Sequence, residues 1–373
     1  MKKVIIIATI YGFIKSFEMN NIKILQDLGY EVHTFANKTN TTTGSKENVE
    51  ELENLNIHTH FVAFHRKPFH IDNYKAYKDI LDFITKNNDI SFIDCHTPVG
   101  GVIGRLIAKK TKVKCLYTAH GFHFYKGAPL KNWLIYYPIE KWLSRYTDIL
   151  ITINTEDYTR AKSKFKMKKI EYVPGIGIDI NKFQLKNFDR NSYRKSLGLK
   201  DSDFVILSVG ELNKNKNHEI VLRAIAKLKN PKIKYVIAGR GQLDKYLENL
   251  SKELYINNQF ILLGYRSDVA ELYKCVDVFI LPSIREGLNV SLMEAMVNNV
   301  ICLASRIRGN IDLINNDYLF DPMNEDEVAR LLLNVNTNNQ FYKENYIIKR
   351  NMIDKNEIIK TNKELYKEFL INI

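Results

Sequence analysis

One recurring unit restricts the fold of this 373-residue chain more than anything else: a short, continuously apolar run followed by an amphipathic stretch of helical period. "KKVIIIAT" (2–9), "EVHTFAN" (31–37), "ISFIDCHTP" (90–98), "KVKCLYTAH" (112–120) and "DILITIN" (148–154) make one series of apolar runs. A second series begins after residue 200, with "DFVILSVG" (203–210), "IKYVIAG" (233–239), "QFILLG" (259–264), "DVFILPS" (277–283) and "VICLAS" (300–305). Strands apolar on both faces belong in a parallel sheet covered by helices on each side. The stretches between them supply such helices: "FEMNNIKILQDLGY" (17–30), stopped at Gly29, and "NHEIVLRAIAKLK" (217–229). The fold class is therefore α/β, with two doubly wound, Rossmann-like domains facing each other across a cleft. The Gly- and Ile-rich "VPGIGIDINKF" (173–183) reads as their connection. In such sheets ligands bind beyond the carboxyl ends of the strands.

Composition agrees with a folded chain of two ordinary domains, at 45% hydrophobic and 26% charged residues. No apolar run approaches the roughly 18 residues of a membrane span, and no signal peptide is recognisable. Cys95, Cys115, Cys275 and Cys302 are scattered, so buried free thiols in a reducing cytoplasm are expected, with neither a disulfide nor a zinc cluster. The net charge is +13, and residues 1–180 hold 26 Lys and Arg against 18 Asp and Glu. A basic surface suits phosphates or an acidic membrane face, although a solvated lysine-rich surface accounts for it equally. Nucleic-acid binding has only the charge in its favour and no recognition motif.

In "REGLNVSLMEAMVNN" (285–299) Glu286 follows a strand and Glu294 lies on the next predicted helix. Backbone N–H groups around Gly287, Leu288 and Asn289 open that helix and suit an anion such as a diphosphate. A carboxylate would repel that anion, so the two acids should face neutral polyols, where adjacent hydroxyls both donate to one carboxylate. A sugar nucleotide has hydroxyls at both ends and a diphosphate between. The plainer alternative makes Glu286 a helix N-terminal acid and Glu294 a surface residue. Yet Leu292, Met293, Ala295, Met296 and Val297 surround Glu294, and a charge in that setting needs a partner.

This segment resembles the E-x7-E signature of the retaining glycosyltransferases of family 4, which have the two-Rossmann-domain GT-B fold. "VGELNKNKNHE" (209–219), "VIAGRGQL" (236–243), "LLGYRSDV" (262–269) and "SRIRGNIDLI" (305–314) resemble the family's other blocks, in order. "HTPVGGVIGRL" (96–106) and "YTAHGFHFYKGAPLKNWLIYYPIEKWLSRYTD" (117–148) resemble its bacterial capsular and exopolysaccharide subgroup. The resemblance implies an acceptor-binding domain at 1–175 and a nucleotide-sugar-binding domain at 176–345. Residues 346–373, a helix with no strand after it, would pack back toward the first domain. It implies that Glu286 contacts donor hexose hydroxyls, Glu294 the ribose diol and Lys216 the diphosphate. His120 would lie near the transferred sugar, Gly12 in the first strand–helix loop beside the donor, and Arg266 near the base. The family often has Arg where this chain has Glu211; Lys214 or Arg240 is available to replace that charge.

The implied reaction moves a hexose or N-acetylhexosamine from a UDP-sugar to a lipid-diphosphate-linked (polyprenyl-diphosphate) saccharide. His120, Glu286 and Lys216 would serve catalysis, and Lys216 would stabilise the departing diphosphate. Same-face attack without a covalent intermediate is expected, so Glu286 would orient the sugar rather than act as a glycosidase nucleophile. No cofactor or metal is expected, since no Asp-x-Asp pair could bridge a magnesium ion to the diphosphate. His120 is alternatively a satisfied histidine at a strand end. His58, His60, His65 and His70 crowd one segment without helical i, i+4 spacing, so a loop or edge strand fits better than a metal site. "KNWLIYYPIEKWLSRY" (131–146) mixes aromatic and basic residues; it reads as a core helix broken at Pro138, or as a helix lying at the inner face of the cell membrane. A UDP-sugar epimerase of similar build, or a non-catalytic sugar-nucleotide-binding scaffold, stands as the alternative.

Overall fold

The computed structural model describes residues 1–37, 45–65, 69–185, 187–337 and 351–371. The chain divides into two compact units, Met1–Ile176 with Asn356–Ile373, and Gly177–Lys355. The expected boundary between 345 and 346 lies outside the described residues. The first unit holds β1 (Lys3–Ile10), β2 (Glu31–Asn37), β3 (Ile57–Phe61), β4 (Ile90–His96), β5 (Lys114–Ala119), β6 (Ile149–Thr152) and β7 (Lys169–Tyr172). They pair in the order β3-β2-β1-β4-β5-β6-β7, every pair parallel. The second unit holds β8 (Phe204–Val209), β9 (Ile233–Ala238), β10 (Phe260–Gly264), β11 (Val278–Leu281), β12 (Ile301–Ser305) and β13 (Leu319–Phe320). Their order is β10-β9-β8-β11-β12-β13, again parallel throughout. Strand order reverses between β1 and β4 in one sheet and between β8 and β11 in the other. These switch points are where helices diverge and leave room for a ligand.

The apolar run of β1 shows why the strands lack polar alternation. Val4, Ile5, Ile6, Ile7 and Ala8 are all completely buried. Val4, Ile6 and Ala8 join one cluster, with Ile22, Leu25, Leu365 and Phe369. Ile5 and Ile7 point the other way and join Ile80, Ile103 and Ile107. Side chains alternate across a strand, so two covered faces demand apolar residues at every position. Each such side chain contributes about 1.5–3 kcal/mol on burial, and a charge at Ile6 or Ile7 would forfeit that and strand itself in the core.

Departures from the expected elements have local causes. β7 ("KIEY") is only half-buried along its length, and β13 has two residues, so neither carries a strong apolar run. "IHTHF" forms β3, at the edge of the first sheet. No loop follows β1. The chain passes directly into a helical turn at Tyr11–Phe13, then a π-helical turn at Ile14–Glu18 and the helix Met19–Asp27. Gly12 thus sits in a helical turn rather than in the strand–helix loop expected. The helix Leu130–Leu143 runs through Pro138 without the expected break. The carbonyl that Pro138 leaves without an N–H is that of Leu134, a residue 69% exposed, where water can satisfy it. All four cysteines are buried free thiols. Among the described residues no helix is long and apolar enough to cross a membrane.

Candidate active site

In the second unit, two loops meet at the switch point. One leaves β8 and carries Glu211, Lys214 and Lys216 into the helix His218–Leu228; the other leaves β11 and carries Glu286, Gly287 and Leu288 into the helix Val290–Val297. Backbone and side chain lace them together. Ile284 N–H donates to Asn215 O at 2.8 Å, and Asn215 Nδ2 donates to Arg285 O at 2.9 Å. Held this way, Lys216 Nζ reaches Glu286 Oε1 at 2.8 Å. Arg308, buried, donates from Nε to Glu286 O at 3.3 Å. Gly309 next to it has φ +82°, and a Cβ there would meet Gly287 O at 2.2 Å. Only glycine permits both that backbone and that approach.

Asn289 caps the following helix, accepting from Leu292 N–H at 3.1 Å and from Ser291 Oγ at 2.7 Å. The cap fixes the first turn and hence the direction of Glu294, one turn on. Glu294 is flanked by the buried Met293, Ala295 and Met296. Its partner is Tyr273, whose hydroxyl lies 3.1 Å from Glu294 Oε2 and 2.9 Å from Ser291 O. Burial pushes the Glu294 carboxyl above the usual range, opposed by that hydrogen bond and by Lys182. A carboxylate held where its charge is unfavourable, on a helix opening at the switch point, is a candidate functional position.

The other expected donor residues behave differently. Glu211 and Lys214 are exposed, and Glu211 accepts from Asn213 Nδ2 at 2.9 Å. Arg240 is exposed at the end of β9, beside Gly239. A Cβ on Gly239 would lie 1.7 Å from Gly210 O, so the loops after β8 and β9 touch through glycine. Arg266 is clamped by Asp268, with Nε 2.8 Å from Oδ1 and a second contact from Nη2 to Oδ2. Its Nη2 also lies 3.4 Å from the Tyr193 hydroxyl.

Gly12 and His120 belong to the first unit. His120 follows β5 and sits between the rings of Phe13 (4.8 Å) and Phe17 (5.9 Å). Behind it lies a charged cluster that the sequence did not expose. His96 Nδ1 is 3.2 Å from Glu18 Oε1, and His96 Nε2 is 3.2 Å from Asp94 Oδ1; all three are buried. Tyr366 donates to Asp94 Oδ2 at 2.7 Å. Burial alone would lower the His96 pKa, but the charges of Glu18 and Asp94 raise it to about 9. For His120, burial and the His96 cation act together and hold the ring neutral, its pKa down to about 3. A neutral imidazole at a strand end can exchange one hydrogen bond with a hydroxyl, and its Nε2 has no hydrogen-bond partner among the described residues. Glu18, Asp94, His96, Tyr273 and Arg308 are additions. Only the polar "DCH" inside an apolar strand run hinted at the buried group.

Residues 189–356 match the family model for "glycosyl transferases group 1", and residues 9–154 that for "glycosyl transferase 4-like" proteins. The chain is 37% identical over 321 residues to the putative glycosyltransferase EpsD of Bacillus subtilis (strain 168), covering 84% of this chain and 81% of that one.

The chain belongs to the family 4 glycosyltransferases.

This glycosyltransferase is also 30% identical over 259 residues to the Escherichia coli UDP-Gal:alpha-D-GlcNAc-diphosphoundecaprenol alpha-1,3-galactosyltransferase, covering 66% of this chain and 67% of that one. Its fold is GT-B. Anabaena Alr3699/HepE, in complex with UDP-glucose, matches with a TM-score of 0.78 at 17% identity, over 99% of this chain and 100% of that one. The lipopolysaccharide glycosyltransferase WaaG matches with a TM-score of 0.70 at 16% identity, over 97% of this chain and 99% of that one.

Proposed function

We propose that this glycosyltransferase moves a hexose or N-acetylhexosamine from a UDP-sugar to a lipid-diphosphate-linked saccharide, with retention at the anomeric carbon and without a metal ion. The observation that carries the donor reading is the 2.8 Å pair between Lys216 and Glu286 at the switch point of the second sheet. In this pair each charge neutralises the other. A bound donor would exchange these partners: the diphosphate takes the lysine, and hexose hydroxyls take the carboxylate. Glu294, held by Tyr273, would accept from the ribose diol. As the glycosidic bond lengthens, charge gathers on the diphosphate beside Lys216 and the N-terminal turn of Val290–Val297, and both stabilise it. Glu286 then orients the sugar, and the departing phosphate takes the acceptor's proton. His120, neutral, would share a hydrogen bond with a hydroxyl of the sugar in transit.

For the acceptor, support comes from the first unit and from the relatives. A cavity of about 380 Å³ is lined by Phe13, Val99, Tyr117, Phe122 and Tyr136 among others, and its apolar walls suit the hydrophobic part of a lipid-linked substrate. Leu130, Leu134 and Trp142 of the helix Leu130–Leu143 are exposed beside Lys131 and Lys141, which suits peripheral contact with the inner face of an anionic membrane. The test is release of UDP from a panel of UDP-sugars, with and without polyprenyl-diphosphate-linked saccharides, and with product mass and anomeric configuration read out. Acceptor-dependent UDP release with mass gain on the lipid supports the reading. Interconversion of UDP-sugars without release would indicate an epimerase, and binding without turnover a scaffold.

A further inference from the structure

The histidine-rich segment from His58 to His70 contains no metal-binding spacing of its own, but parallel pairing adds residues from a neighbouring strand. His33 of β2 lies directly across from His58 of β3, and Phe35 across from His60. Residues two apart on a strand share a face, so Glu31, His33, His58 and His60 crowd one side of the sheet edge. His33 Nε2 lies 2.7 Å from Glu31 Oε1, and His58 Nε2 lies 3.4 Å from the same oxygen. The His58 ring stacks on that of His33, with centroids 4.6 Å apart and 16° between planes. One ligand-type atom from each of Glu31, His33 and His58 falls within 4.8 Å of the others. None of these groups belongs to the donor loops or to the cluster around His120.

We propose that Glu31, His33 and His58 form a site for a divalent transition-metal ion of the zinc type, which clamps edge strand β3 to β2. Tetrahedral zinc, at about 2.0–2.1 Å from nitrogen and about 2.0–2.2 Å from oxygen, separates its ligand atoms by about 3.3 Å. The 2.7 and 3.4 Å separations already bracket that distance. An outer partner is in place as well. His33 Nδ1 lies 2.9 Å from His60 Nε2, which determines which nitrogen of His33 faces the ion. The Phe83 ring backs the group, 5.1 Å from His33 and 4.7 Å from His60. The two strong anchors differ in mobility in a useful way. His33 is buried at 6% exposure and fixed, whereas the His58 side chain is 54% exposed and can turn its lone pair onto the ion without disturbing the core. The same exposure gives the ion a route in and leaves room for water as a fourth ligand. Two imidazoles and one carboxylate favour zinc, nickel or copper over magnesium or calcium. The physical consequence is local: a short edge strand of five residues gains a bond to its neighbour that does not depend on backbone hydrogen bonds.

The test is calorimetric titration of the tag-free full chain with Zn²⁺, supported by Co²⁺ absorption spectra that report tetrahedral coordination. H58A is the main variant, since it removes an exposed side chain and leaves the core intact. H120A and H70A serve as controls for two other places, among the described residues, where histidine meets carboxylate or a second histidine. One equivalent of zinc is expected, bound at least about 10-fold more weakly by H58A than by wild type or either control. Zinc is also expected to raise the melting temperature of wild type and leave that of H58A unmoved. Unchanged affinity in H58A, loss confined to H120A or H70A, or no binding by wild type at about 100 times the protein concentration overturns the proposal.

Discussion

Replacing Glu294 with Gln separates a residue kept for binding from one kept for folding. The side chain keeps its shape and can still accept from Tyr273, so the change is chiefly the charge. Two hydroxyls of a ribose diol would each lose a charge-assisted hydrogen bond and keep a neutral one. Bonds to a charged group are worth about 1.5–3 kcal/mol against about 1 for neutral ones, so the loss is roughly 0.5–1.5 kcal/mol for each hydroxyl. Together that is about 1–3 kcal/mol, or roughly 5- to 150-fold in affinity for UDP. Stability should move the other way. Because burial raises the Glu294 pKa above its unfolded value, its ionised form costs stability. That cost is absent below the ordinary carboxylate range and is incurred as pH rises through the folded-state pKa. E294Q should therefore melt higher than wild type at neutral pH, with the advantage vanishing in acid. Calorimetric titration with UDP and melting curves between about pH 4 and pH 8 measure both effects. A variant that binds UDP like wild type and melts lower at neutral pH would refute the reasoning and make Glu294 a structural acid.

Four further outcomes follow. E286Q should bind UDP about 2- to 5-fold more tightly, since Lys216 loses a partly exposed competitor, while turnover with the UDP-sugar falls; isothermal titration and steady-state assays check the pair. K216M should lower turnover by roughly 100-fold or more, as for loss of a main transition-state charge, with melting temperature close to wild type. His96 has a folded pKa of about 9 against an ordinary 6.5, so its stabilisation, about 3 kcal/mol, is complete below pH 6.5 and lost as pH rises through 9. H96Q should accordingly fall furthest below wild type near pH 6 and approach it near pH 10, as measured by urea unfolding. G239A drives a methyl group into the Gly210 carbonyl at 1.7 Å and should cost about 3 kcal/mol or more, seen as a lowered urea midpoint and lost UDP binding.

What the sequence disclosed divides along physical lines. Apolar runs of four or more residues, such as 4–8 and 204–207, announced central strands because both faces of such strands are buried. β7 escaped because it is only half-buried and carries no continuous apolar run, and β13 because it is two residues long. Pairing between distant strands was invisible, so His33 and His58 gave no sign of meeting. Within the second unit, Glu286 could be named from its place after a strong strand, and Lys216 from the resemblance of its block to the family's. Their mutual 2.8 Å contact could not, because 70 residues separate them. Tyr273 and Arg308 were missed for the same reason: each acts on a segment far away in sequence. The first helical turn was misplaced because a π-helical turn has no distinctive composition.

The first unit is assembled from residues 1–176 and from 356–371, two segments with the whole second unit between them in the chain. Leu365, Tyr366 and Phe369 fill the face of the sheet beneath β1 and β4, and Tyr366 satisfies Asp94. A ribosome translating the second half therefore carries an early portion with an open apolar face and a cluster of three ionisable groups lacking its phenol. That portion cannot close until some 180 further residues have been made and Gly177–Lys355 has been looped out. The order of the segments makes the helix Lys355–Ile371 the latch that completes the amino-terminal sheet.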